Sequence, residues 1–257
     1  MKTNSPKEAE AIIQKVPCDM GIHRNPRKGT LNAPEEIMEG FEPGRTLFID
    51  EVFPDEFDLE ETHDRIYDNT GGLTEYGKPV ISIGGDHSVS FPVLKALKEE
   101  NPGLKLVWLD SHLDLKEKVD GHVSHDVVVR ELLNYFSEDE IVFVGVTRID
   151  EDEREFLREH DLRVYRSDEV SGFLEEYDFG HPVYLTVDID VLEGGEAPGT
   201  GYPDGRLSMK QVYEVIREVH PGHADLVEVA PEFDRGGRTV ENARNILERL
   251  TQVVDSD

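Results

Sequence analysis

The chain has 257 residues, enough for one large α/β domain or two ordinary ones. Its 27 Lys and Arg stand against 56 Asp and Glu, a formal net charge of -29. That balance excludes nucleic acid as a natural partner, since phosphate contacts need basic patches. The single cysteine, Cys18, excludes an internal disulfide framework and fits a reducing compartment. No apolar run approaches the length of a membrane span, and the polar stretch from Met1 to Glu10 is unlike a signal peptide. The expectation is a soluble, cytoplasmic protein with no membrane partner. The acids are spread along the sequence rather than gathered in a tail. Their mutual repulsion is costly in dilute buffer but weak at molar salt, where the screening length falls to about 3 Å. The composition therefore reads as adaptation to a halophilic cytoplasm.

In chain order, apolar and β-branched runs at 11–16, 46–52, 79–83, 105–109, 141–146, 162–165, 182–187 and 225–229 predict strands. Apolar spacing of three and four predicts helices at 89–99, 125–135, 151–160, 208–219 and 239–254. Alternating strands and helices imply an α/β protein: a three-layer α/β/α sandwich around a mostly parallel sheet of about eight strands. No Pro/Gly/Ser-rich linker or internal repeat divides the sequence, so residues 1–257 are expected to form a single domain. The longest irregular stretches are 17–44 and 192–207. The first carries no metal-type constellation. The second follows Asp190 directly and is expected to wall an active site.

Three short segments carry the chemistry: Gly84-Gly85-Asp86-His87-Ser88, Asp110-Ser111-His112-Leu113-Asp114 and Asp188-Ile189-Asp190. Singly, each has a plain structural reading: His87 as a core histidine, Asp114 as a helix cap, Asp190 as a turn residue. Together, and each at a predicted strand end, they point elsewhere. Side chains alternate along a strand, so Asp110, His112 and Asp114 can share a face, as can Asp188 and Asp190. Ligands of parallel sheets bind at the carboxyl ends of strands. Four clustered carboxylates without counter-charge would be prohibitive to bury, and two divalent cations would balance them. The pattern is that of a two-metal hydrolase.

These segments resemble the signature motifs of the ureohydrolases: arginase, agmatinase, guanidinobutyrase and formimidoylglutamase. Further matches are Ala197-Pro198-Gly199-Thr200-Gly201 and Glu228-Val229-Ala230-Pro231, and the resemblance spans about residues 11–250. It implies an arginase-like fold and two Mn2+ per subunit, although ligand type alone leaves other divalent metals open. One ion would be held by His87, Asp110, Asp114 and Asp188, and the second by Asp110, His112, Asp188 and Asp190. A water bridging two such cations ionises near neutral pH and can attack a guanidinium carbon. By the same resemblance Glu228 would pair with the substrate's planar guanidinium, and His125 would shuttle protons, with His122 a nearby rival. A small cationic guanidino or amidine substrate and a trimeric or hexameric homo-oligomer are implied as well.

The substrate is less sharply marked. The Ala-Pro-Gly-Thr-Gly stretch is agmatinase-like, which puts agmatine hydrolysis to putrescine and urea first. Leu192-Glu193-Gly194-Gly195 departs from the family's usual Leu-Asp-Pro, so the following loop must be held differently, and formimidoylglutamase stays open as the alternative. Arginase and guanidinobutyrase are also open, although the Asn and Ser pattern of arginase is missing between Asp114 and His125. In that loop Lys116, with Lys118, is a candidate to bind a substrate carboxylate. A metal-binding relative without catalysis is the alternative outside the enzymes.

Overall fold

The computed structural model describes residues 1–23, 27–178 and 180–255. Its strands are β1 (Lys2–Thr3), β2 (Ala11–Lys15), β3 (Leu47–Glu51), β4 (Val80–Ile83), β5 (Lys105–Leu109), β6 (Ile141–Val146), β7 (Arg163–Arg166), β8 (Val183–Asp188) and β9 (His223–Val227). They form one sheet in the order β1-β3-β2-β4-β9-β8-β5-β6-β7, and every pairing is parallel. The helices are α1 (Ala33–Met38), α2 (Leu59–Thr74), α3 (Ser90–Glu100), α4 (Val128–Leu132), α5 (Glu151–Glu159), α6 (Val170–Glu176), α7 (Met209–Val219) and α8 (Arg238–Val253).

The layers follow from the two-residue period of the strands. Val107 and Leu109 of β5 pack in one core with Ile37 of α1, Phe173 of α6, Ile216 of α7 and Ile246 of α8. Their neighbours Leu106 and Trp108 face the other core with Ile66 of α2, Leu94 of α3 and Leu132 of α4. A parallel sheet covered on both faces is the expected α/β/α sandwich.

The departures from expectation have physical causes. The ninth strand, β1, is a two-residue edge pairing with β3, too short to carry a pattern. The last strand begins and ends two residues earlier than its apolar run, because His223 already pairs with Tyr184. Helix α2 has a buried stripe that includes Thr62, His63 and Thr70, so its inward face is not apolar enough to read. Its start is marked by Asp58, which accepts hydrogen bonds from the Glu60 and Glu61 amides at 3.0 and 3.1 Å. The expected helix at 125–135 is a 3-10 turn over His125–Val127 followed by a short α4. The irregular stretch 17–44 contains α1.

Strands β4, β9, β8 and β5 lie side by side at the centre of the sheet, all pointing the same way. Their carboxyl ends therefore meet along one edge. The chain builds β2 to β4 on one side and β5 to β7 on the other, then inserts β8 and β9 between them. This central edge is where such a sheet opens a binding crevice.

Candidate functional site

Each of the four central strands runs into a chemically charged residue at that edge. After β4 come Gly84, Gly85, Asp86 and His87; after β5, Asp110; at the end of β8, Asp188; after β9, Glu228. The glycine at 85 is demanded by packing, since a Cβ there would stand 1.6 Å from the Cys18 carbonyl oxygen. The loop leading from β2 thus lies directly against the His87 turn. Asp86 holds the two together, accepting from the Gly21 amide and the Ser88 amide at 2.9 Å each. Burial, with the charge of Glu228 nearby, pushes the Asp86 carboxyl up to about 6.

His87 is fixed on three sides. Its ring lies flat on Trp108, centroids 4.0 Å apart and planes within 7°. The Thr186 hydroxyl donates to Asp225, so its oxygen accepts from His87 Nε2 at 2.9 Å. That network assigns a ring proton to Nε2 and turns Nδ1 toward the carboxylates. Burial opposes a charged ring, but hydrogen bonds and charge from Asp110 and Asp188 raise His87 well above the ordinary imidazole range in the metal-free protein, so Nδ1 then holds a proton where a metal would sit. Nδ1 is fully buried and has only carboxylates around it. It faces Asp110 Oδ2 at 3.1 Å, Asp188 Oδ2 at 3.2 Å and Asp114 Oδ2 at 3.3 Å. A ring nitrogen and three carboxylate oxygens converging on one buried point need positive charge among them, a proton in the metal-free protein or a bound cation in its place. The donor set of oxygens and one imidazole nitrogen, with no thiolate, fits a hard or borderline divalent metal.

A second cluster adjoins it. His112 Nδ1 stands 3.1 Å from Asp190 Oδ2 and 3.5 Å from Asp110 Oδ1. Among the described residues, the metal-competent groups are His87–Asp110–Asp114 and Asp110–His112–Asp190, with ligand atoms in each within 4.8 Å of one another. Asp110 belongs to both. The six residues expected as ligands are thus brought together. Backbone amides aim the carboxylates: His112 N donates to Asp110 Oδ1 and Asp190 N to Asp188 Oδ1, both at 2.7 Å.

The electrostatics match a site built for added positive charge. Burial pushes Asp114 and Asp188 well above the ordinary carboxylate range, compounded by Asp110 for the first and Asp190 for the second. Burial also raises Asp190, to about 6. Asp110 is buried too, yet hydrogen bonds from His112 and His87 hold it low. Bound cations would relieve the strain on all four.

Glu228 and His125 stand together beside the clusters. Glu228 takes a left-handed backbone, φ 62°, at the end of β9, and its amide donates to Gly85 O at 2.9 Å. Its Oε1 accepts from the His87 amide at 2.9 Å and lies 3.4 Å from His125 Nδ1. Burial alone would lower His125, but the hydrogen bond and charge of Glu228 raise it to about 9. His125 Nε2 is buried without a protein partner. The rival histidine is elsewhere: His122 faces Glu60 at 3.8 Å and does not line the cleft.

The cleft over these residues spans about 600 Å³ including its open mouth. Lys116 lines it, but its Nζ is held by Asp150 Oδ2 at 2.7 Å. Arg148 also lines the cleft and donates through Nε to the other oxygen of Asp150 at 2.8 Å. Lys118 pairs with Glu131 at 2.7 Å, outside the cleft.

Several contributors were not expected from sequence. Trp108 donates through Nε1 to Asp110 Oδ2 at 3.1 Å. Asp225 is fully buried and accepts from Ser90 Oγ at 2.6 Å, from the Tyr184 hydroxyl at 2.8 Å and from Thr186. An aspartate inside an apolar strand was the available signal, and placing the strand start at that residue hid it. Tyr202 and Arg148 sit in segments without periodicity.

With this geometry in view, the similarities to known proteins are informative. The arginase family model matches residues 9–252. An agmatinase of Bacillus subtilis is 31% identical over 268 residues, covering 95% of this chain and 91% of that protein. An agmatinase of Bacillus anthracis is 29% identical, again over 95% and 91%. The solved proclavaminate amidino hydrolase of Streptomyces clavuligerus superposes with a TM-score of 0.87 at 27% identity, over 97% of this chain and 93% of that one.

Proposed function

Because the chain belongs to the arginase family, we propose that it hydrolyses the linear C–N bond of agmatine, giving putrescine and urea, with two Mn2+ ions at the centre of the sheet edge. The observation that carries this reading is the buried His87 Nδ1 ringed by three carboxylate oxygens. His87, Asp110, Asp114 and Asp188 would hold one ion, and Asp110, His112, Asp188 and Asp190 the other. The bound metals would supply the charge that brings a water's pKa toward neutrality, hence the nucleophile.

The remaining roles fall to the protein. Glu228 has one oxygen committed to the His87 amide. Its charge and its other oxygen suit the planar N–H edge of a guanidinium, fixing the carbon within reach of attack. His125 holds a proton at neutral pH through Glu228. Its partnerless Nε2 is the proposed donor to the departing amine, which must leave protonated.

A guanidino acid is the second reading, and one observation favours it. Lys116 and Arg148 both line the cleft and both hydrogen-bond Asp150, so two cations stand side by side on the wall where an anionic tail could reach them. Lys116 would act there jointly with Arg148. A parallel assay for urea and formamide from agmatine, arginine, guanidinobutyrate and formimidoylglutamate, in molar salt with Mn2+, separates the readings. Urea from agmatine supports the first, urea from guanidinobutyrate the second, and formamide moves the chain to formimidoylglutamase chemistry.

The continuity of the nine-stranded sheet supports reading residues 1–257 as one domain. The net charge of -29 supports a salt-adapted cytoplasmic protein. No helix among the described residues is long and apolar enough to cross a membrane. The trimeric or hexameric state rests on family resemblance and is read directly by light scattering.

A further inference from the structure

The segment after Asp190 lacks the family's usual Leu-Asp-Pro, and the structure shows what holds it instead. Glu193 N donates to Leu207 O at 2.9 Å and Leu207 N to Val191 O at 3.0 Å, closing the loop at its base. Gly205 lies against the Asp190 backbone so closely that a Cβ would stand 1.9 Å from its carbonyl oxygen. Gly194 touches the far limb, where a Cβ would be 2.7 Å from Pro203 O. Residues 202–204 are therefore pinned over the second cluster from both sides. There Tyr202 packs edge-on to His112 with centroids 5.4 Å apart, and Asp204 Oδ1 comes to 3.6 Å from His112 Nε2 and 3.4 Å from Ser111 Oγ.

The two edges of the His112 ring thus face different carboxylates. Nδ1 faces Asp190 and Asp110, the cluster able to hold a metal. A ring that binds metal through Nδ1 must carry its proton on Nε2, and that is the edge Asp204 faces. Carboxylates behind metal-binding imidazoles fix the tautomer and raise the basicity of the ligating nitrogen. Ser111 joins the same arrangement, since its hydroxyl donates to Asp190 Oδ1 at 2.7 Å. A serine at this position links two residues of the cluster through a bond that an alanine could not make.

We propose that Asp204 is a positioning residue for His112, so that the glycine-bearing loop 192–207 tunes the second metal position while leaving the first unaffected. The inference rests on the reading of His112 as a ligand. It also gives a reason for the loop's composition: glycines at 194 and 205 permit the close approach that carries Asp204 to the ring.

The test is titration of the metal-free protein with Mn2+, following free ion by electron paramagnetic resonance. Wild type is expected to bind two ions. Asp204→Asn, which keeps size and removes charge from a half-exposed side chain, is expected to weaken one of the two by about 10- to 100-fold and leave the other unchanged. Asp204→Glu should recover part of the lost affinity, and circular dichroism melts in chelator should match wild type for both variants. Wild-type titrations from Asp204→Asn and Asp204→Ala, beside a His112→Ala variant that loses one ion, would overturn the inference alone. A His112→Ala variant that still binds both ions would instead remove the ligand reading beneath it, and the inference with it.

Discussion

Replacing Thr186 by Val tests the chain of contacts behind His87 with almost no change in volume. Thr186 is fully buried, and its hydroxyl both accepts from His87 Nε2 and donates to Asp225. Valine keeps the shape and strands two buried polar groups. Asp225 retains Ser90 and Tyr184 on its other oxygen, so Oδ1 alone is orphaned there. Each unsatisfied group costs about 1–3 kcal/mol, so the metal-free protein should lose about 2–6 kcal/mol of stability. The His87 ring also loses the acceptor that fixes its tautomer, which should weaken metal binding about 10- to 100-fold. At fixed, near-saturating Mn2+ that adds about 1.4–2.7 kcal/mol to the deficit. Burial already pushes Asp225 above the usual carboxylate range. Losing a donor raises it further, so the native variant binds an extra proton as pH falls and the penalty should shrink toward acid. The assay is urea denaturation of wild type, Thr186→Val and Thr186→Ser, with chelator and with Mn2+. Thr186→Ser keeps the hydroxyl and should stay within about 1 kcal/mol of wild type. A Thr186→Val protein as stable as wild type in both conditions would refute the reasoning.

Three other outcomes follow from the same geometry. Glu228→Gln preserves an acceptor for the His87 amide but removes the charge proposed to face the guanidinium, so kcat/KM for urea release should fall by about 100-fold or more with Mn2+ content unchanged; lost metal would make the residue structural instead. In metal-free protein His125 is raised from 6.5 to about 9, so the native state holds the extra proton between those values. Its contribution, about 1–3 kcal/mol, should be complete below pH 6.5 and vanish as pH rises through 9, and His125→Ala should flatten that part of the pH–stability curve. Dialysis from molar to 0.1 M salt lengthens the screening distance from about 3 to about 10 Å and should lower the melting temperature of a chain carrying -29; an unchanged melt removes the salt-adaptation reading.

The candidate ligands were legible in the sequence because carboxylates clustered at the ends of apolar runs are anomalous there. The strands leading to them, β4, β5 and β8, were placed within a residue of where they occur. What lay beyond reach depends on tertiary contact. Thr186 was visible only as a hydroxyl at a ligand-bearing strand, while its partner Asp225 was masked by a strand start misplaced by two residues. Trp108 looked like any core aromatic until its ring was seen against His87. Lys116 does line the cleft, but no local pattern announces that Asp150, 34 residues later, takes its charge. Asp204 reaches His112 only because two glycines let a loop without periodicity lie on the Asp190 backbone.

The most direct measurement is anomalous X-ray diffraction at the manganese edge from crystals soaked in Mn2+. Two peaks about 3.5–4 Å apart are expected, the spacing of two-metal hydrolases, with Asp110 between them, one beside His87 Nδ1 and the other beside His112 Nδ1. No peak at the ends of β4, β5 and β8, or peaks held by other residues, would contradict the two-metal centre on which the proposed hydrolysis rests.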